Sequence, residues 1–243
     1  MVPAVRGRMV QAFGLGELKP CCAGAPAQVL IRWFCRLMAP GMDQGMKTKE
    51  DHPDWYYPVR GMRTLILGTF PPHSGKRHYE FYYPNSQNRF WKVMAEIAKH
   101  QIVFNAGTPA VEERKRLMEQ LKVGVQNIGK TILRDGESSA DNDIEIIETQ
   151  DILGIINQND SLQAILLTGY SGKTSTYRSF VNYLAEKRIP HSPLPEKVGA
   201  GYEFTAHFKK PITCIIGNST SGAAARVSGA RLLKQFRSAI IRD

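Results

Sequence analysis

Apolar residues fall along this chain in short blocks, separated by longer stretches in which they recur every three or four positions. Thr64 to Leu67, Val123 to Ile128, Leu162 to Thr168 and Ile212 to Ile216 are the blocks, each closed by Gly or Asn, or by a Thr-Gly or Ile-Gly step. Runs that short, ended by turn residues, predict buried strands. The intervening stretches predict helices. Ser86 or Asn85 caps one through about Lys99, with Phe90, Val93, Met94 and Ile97 on its buried face. Thr108-Pro109 opens a charged helix to about Lys122, Pro being tolerated in a first turn. A short helix follows over Asp151–Asn157, another over Ser175–Lys187, and a basic one over Val227–Ile241. Tyr202 to Phe208 alternates like an exposed strand inside a Pro/Gly-containing excursion, Pro190 to Lys210. Strands alternating with helices predict a three-layer α/β/α sandwich with a central, mostly parallel four-stranded sheet.

The first 45 residues break this pattern. They are rich in Gly, Ala, Pro and Met, and their apolar piece, Ala27 to Ala39, is interrupted by Arg32 and Arg36, a poor signal-peptide core. Disorder, a docked appendage, or an upstream extension with Met42 or Met46 as the true initiator all fit. The domain is therefore expected over residues 46–243, led in by Asp51 to Arg60. With 243 residues and 42% hydrophobic content there is enough chain for one α/β domain. A net charge of +10 favours a polyanionic partner, nucleic acid first. No run of about 18 apolar residues exists to cross a bilayer. Cys21, Cys22, Cys35 and Cys214 have no metal-ligand spacing, nor do the six histidines. Reduced thiols in a cytoplasmic protein, without metal or other cofactor, are the plain expectation.

Candidate chemistry concentrates between Arg63 and Trp91. The first apolar block stops at Gly68 and breaks on Phe70-Pro71-Pro72; Lys76, Arg77, His78, Tyr79, Tyr82 and Tyr83 follow, then Asn85-Ser86-Gln87-Asn88. In open parallel sheets, ligands bind at the carboxyl ends of the strands, and cations interleaved with aromatics suit a charged polymer with bases to stack. LILGTFPP followed by YYPNSQNRFW resembles the first motif of the uracil-DNA glycosylase superfamily, in particular its hypoxanthine-DNA (deoxyinosine) glycosylase-like branch. Three later stretches fall in the order such a protein would require. They are Val123 to Asn127 running on to Ser138-Ser139-Ala140-Asp141-Asn142-Asp143, Ala164 to Gly169 with Gly172-Lys173, and Ile215 to Ala223. The resemblance covers roughly residues 60 to 240.

That resemblance implies hydrolysis of the N-glycosidic bond of a deaminated base, uracil or hypoxanthine, in DNA, by a protein acting as a monomer. Such chemistry needs a nucleotide drawn out of the stack, tolerance of oxocarbenium-like charge, and stabilisation of the departing base. It implies a base pocket from Gly68, Thr69, Phe70, Pro71, Tyr83 and Asn127, with Tyr83 or Phe70 stacking on the base. DNA contacts are implied for Lys76, Arg77, Lys173, Asn218, Ser219, Thr220, Ser221 and Arg226. Two departures stand out. Relatives often place a carboxylate or Asn just before the first proline to orient water; here that slot holds Phe70. Asn88 is then the catalytic candidate, able to hold a water but not to act as a base; the alternative is that it caps the helix. Asn218 and Gly222 replace residues usual in the closing motif, and Ser219 to Ser221 also suit plain helix capping. An inactive member that binds DNA or a modified nucleotide is the first rival. A nucleotide-hydrolysing P-loop at Gly169 to Thr174 is disfavoured, since Leu167 stands where that motif needs Gly. Arg114-Lys115-Arg116 reads as a solvated helix face, while Arg231, Lys234 and Arg237 fit either a solvated face or phosphate contacts.

Overall fold

A computed structural model describes residues 47–242. The expected extension, residues 1–45, lies outside the described residues, as do Cys21, Cys22 and Cys35. The described chain runs β1 (Thr48–Asp51), β2 (Thr64–Gly68), α1 (Phe90–Ala98), α2 (Gly107–Leu121), β3 (Val123–Asn127), β4 (Gly129–Arg134), β5 (Ile144–Thr149), α3 (Ile152–Asn157), β6 (Ala164–Thr168), α4 (Thr176–Glu186), β7 (Glu203–His207), β8 (Pro211–Gly217) and α5 (Gly229–Ile240).

The central sheet has the order β3-β2-β6-β8-β7. Its first four strands are the four apolar blocks and run parallel, with Ile66 opposite both Val125 and Leu166, and Leu166 opposite Ile215. Every residue of β2, β3 and β6 is buried, as a strand covered on both faces must be. The expected four-stranded sheet is corrected to five strands of mixed direction. β7 adds antiparallel to β8 with Phe204 opposite Cys214, because the alternating stretch after Pro190 buries Phe204 and Ala206 against the core. Gly124 keeps β3 close to the chain before β2: a Cβ there would run into the Met62 sulfur.

α1 packs against α2 and α5, while α3 and α4 meet where Leu153 N–H donates to the Tyr183 hydroxyl at 2.8 Å. Right-handed crossovers put these two groups on opposite faces of the sheet. A second sheet, β1-β4-β5, antiparallel throughout, lies outside the expected pattern. It is tied to the first by Arg134, a fully buried guanidinium. Arg134 bonds Glu50 through two nitrogens at 2.7 and 3.0 Å, and donates to the carbonyls of Pro71, at 2.9 Å, and Ser138. A second arginine corrects the solvated-face reading at Arg114, while Lys115 stays half-exposed and Arg116 exposed. Arg114 is buried, paired with Glu113 at 2.6 Å, and lies over the rings of Tyr79 and Trp91.

Candidate active site

A cleft of about 700 Å³ opens at the carboxyl ends of β2, β3 and β6. The parallel strands stop there in register, so Gly68, Asn127 and Thr168 form its floor. Asn127 is 6% exposed, and its carboxamide has no hydrogen-bond partner among the described residues; its backbone N–H donates to Gln126. Gly68 makes room for it: a Cβ at Gly68 would come within 3.0 Å of Asn127 Oδ1 and 3.1 Å of the Tyr83 hydroxyl.

Tyr83 forms one wall. Its φ of +50° lies in the left-handed region, where a bulky residue is strained and persists only if its surroundings demand it. Here its ring stacks on Phe90 with centroids 3.9 Å apart, and its carbonyl accepts from the Tyr79 hydroxyl at 3.0 Å. The Thr168 hydroxyl donates to Leu67 O at 2.8 Å, so at the 3.1 Å contact between Tyr83 and Thr168 it is Tyr83 that donates. Burial pushes the Tyr83 phenol up to about 12, so it stays neutral. With one face on Phe90, the ring offers at most its other face to a ligand. Phe70, on the opposite side, packs over Gly129 between His52 and Arg134. Burial holds the imidazole of His52 down at about 4, neutral against its aromatic neighbours.

Other motif residues serve the frame. Asn88 lines the cleft, and its Oδ1 accepts from Phe90 N–H at 2.9 Å as the helix-capping alternative expects, leaving one lone pair of that oxygen and the amide nitrogen for a ligand. Helix α1 accordingly starts after Asn88 rather than at Ser86, while Asn85 closes a local turn onto Gln87 N–H. Tyr79 and Tyr82 are core residues rather than stacking platforms. Arg77 is turned inward over Trp55 and bonded to Glu80 and Pro72 O, which removes it from the expected DNA contacts. Lys76 is exposed, its ammonium donating to Glu137 O at 2.7 Å. Asn218 is buried and held by Gln235 through both its backbone and side-chain nitrogens, so it too is corrected from DNA contact to internal support. Ser219 and Ser221 accept from backbone N–H groups two residues on, and Thr220 is buried in the cleft wall. Arg226 is exposed on the same loop. Lys173 keeps an exposed side chain, while its backbone N–H is taken by Asn142 Oδ1 at 3.0 Å.

Arg89 escaped the sequence reading. Its backbone N–H donates to Thr220 O at 3.0 Å, and its guanidinium reaches the carbonyls of Ser221, Ala224 and Val227. It therefore clamps the whole closing loop to the start of α1. Asp141 also escaped. The turn after β4 folds over the cleft, pinned by Arg134 on Ser138 O, by the Ser138 hydroxyl on Asp143 and by Asn142 on Lys173. That brings the Asp141 carboxyl onto the cleft wall beside Thr69 and Tyr83. Burial raises its pKa from 3.8 to about 6, opposed in part by the Thr69 hydroxyl. A density of acids in SSADNDIE hinted at a site, but nothing local distinguishes Asp141 from its neighbours.

Among the described residues, no group of three His, Cys, Asp or Glu is placed to hold a metal ion, and no helix is long and apolar enough to cross a membrane. A second cleft, about 460 Å³ between β5 and α4, is walled by lysines and acids of mixed sign. No protein-family model and no curated protein matches the chain. A solved structure does: the solution NMR structure of a protein of Methanosarcina acetivorans described as a "putative Uracil DNA glycosylase", at TM-score 0.50 and 18% identity over 76% of this chain and 95% of that one. At that identity the likeness is one of fold.

Proposed function

We propose that this protein is a DNA glycosylase of the uracil-DNA glycosylase superfamily, acting on a deaminated base. The observation that carries the reading is the Asn127 carboxamide: nearly buried, unpartnered among the described residues, and facing a cleft floored by glycine. Its Oδ1 and Nδ2 open onto the cleft, and a ligand edge offering one donor and one acceptor would pair with both. The imide edge of uracil and the lactam edge of hypoxanthine both present a carbonyl beside an N–H. Tyr83 and Phe70 flank the floor with aromatic surface for a planar ring. The closing loop, clamped by Arg89 and carrying exposed Arg226, forms the rim from which a strand would be held. The sequence resemblance in four ordered motifs and the shared fold of the Methanosarcina acetivorans protein support the same reading.

The test is excision. Duplex and single-stranded oligonucleotides carrying one uracil or one inosine are incubated with the protein, then treated with alkali to cleave abasic sites. Strand scission at the lesion is expected for at least one of them, reduced roughly 10²-fold by Asn127→Ala as expected for loss of a positioning contact. Lesion binding without scission under all conditions would favour the inactive, DNA-binding rival.

A further inference from the structure

We propose that Asp141 is the catalytic carboxylate, the group that takes the proton from the attacking water. This rests on the glycosylase reading above and deepens it. The slot after β2 that relatives fill holds Phe70, and the Asn88 oxygen accepts from Phe90 N–H. Among the described residues lining the cleft, Asp141 is the only carboxylate, and no Lys, Arg or His lines it. It arrives from outside the strand ends, on the turn that β4 and β5 carry over the floor built by Gly68, Asn127 and Thr168. A base bound against Asn127 leaves its sugar towards the mouth, the side from which this turn closes.

The step balances without a cofactor. The water oxygen bonds to the anomeric carbon as the bond from that carbon to the base nitrogen breaks. The base departs with the electron pair, the Asp141 carboxylate accepts a proton from the water, and that proton passes on to the released base or to solvent. A general base of this kind contributes about 10²- to 10⁴-fold. Asp141 meets the requirement that such a group be ionised at neutral pH yet basic enough to accept a proton, with a pKa of about 6. The groups facing it are the Thr69 hydroxyl from the end of β2 and the neutral Tyr83 phenol.

The experiment is a single-turnover excision rate measured from pH 5 to 9 on the better of the uracil and inosine duplexes. The wild-type rate is expected to rise with pH through an inflection near 6 and then level. Asp141→Asn should fall by about 10²-fold or more at pH 8, lose the inflection, and keep wild-type affinity for the lesion duplex. An Asp141→Asn enzyme cutting at the wild-type rate with the same pH profile would overturn the proposal and leave the glycosylase reading standing. A wild-type protein that cuts neither lesion would overturn both.

Discussion

Replacing Asp141 by Asn should make the protein more stable, by an amount that grows as pH rises from 3.8 and is nearly complete by about pH 6. In the folded chain the carboxyl has its pKa raised from 3.8 to about 6, because the cleft wall disfavours its charge. The folded state thus binds this proton more tightly than the unfolded one. The stabilisation linked to that proton is fully present below pH 3.8 and is lost as pH rises through about 6. A shift of about two units corresponds to roughly 3 kcal/mol of penalty for holding the carboxylate ionised at pH 8. Asn is nearly isosteric and never ionises. Urea titrations should therefore show Asp141→Asn above wild type at pH 8, by up to about 1.5 M in midpoint for a slope of about 2 kcal/mol/M. The gap should narrow below pH 6 and close only below about pH 3.8. A variant less stable than wild type at pH 8, or one whose advantage does not depend on pH, would refute the reasoning. A gain in stability together with a loss of excision would mark a residue kept for chemistry against the interest of the fold.

Arg89→Ala should lower stability by about 2 kcal/mol and speed proteolysis within residues 219–227, since three carbonyls lose their donor; an unchanged digestion pattern would show that the loop holds itself. Arg134→Ala should cost about 3–5 kcal/mol in urea unfolding, because it strands the Glu50 carboxylate and frees the Pro71 and Ser138 carbonyls; a loss under 1 kcal/mol would contradict the buried pairing. Affinity for undamaged duplex should fall with salt at about −0.9 per phosphate neutralised, and Arg226→Ala should flatten that slope by about 1; a flat response in wild type would remove the nucleic-acid reading. A chain beginning at Met46 is expected to unfold at the full-length urea midpoint, since it retains β1 and Glu50; failure to fold would put Ala27 to Ala39 in the core.

The parallel half of the fold was legible because burial on both faces leaves its mark in the sequence. β2, β3, β6 and β8 are the four apolar blocks, within two residues at either end. The accessory sheet was hidden because its strands carry charge. β5 reads Ile-Glu-Ile-Ile-Glu-Thr with one buried residue, Ile144, and β4 owes its stability to partners 80 or more positions away, Asp51 and Glu50. Arg114 and Arg77 were misread for a related reason. An arginine becomes a buried residue only when a carboxylate and aromatic faces converge on it, and the faces of Tyr79, Trp91 and Trp55 do so only in the folded chain. Asn127 and Gly68 were readable as strand ends, whereas the neutral-range pKa of Asp141 exists only once its turn has docked.

That difference in legibility follows the division of labour in the site. The floor belongs to the parallel sheet: Gly68, Asn127 and Thr168 are fixed by ladder hydrogen bonds and by the Tyr83–Thr168–Leu67 chain, so its shape is set by the most buried part of the molecule. The carboxylate and the rim are held by two arginines instead. Arg134 fastens the Asp141 turn to the Pro71 loop, and Arg89 fastens the closing loop to α1, in each case by donating to backbone carbonyls. On the proposed reading, the floor would recognise a base edge and the Arg134-held turn would bring a carboxylate to it, the two requirements falling to separate sheets.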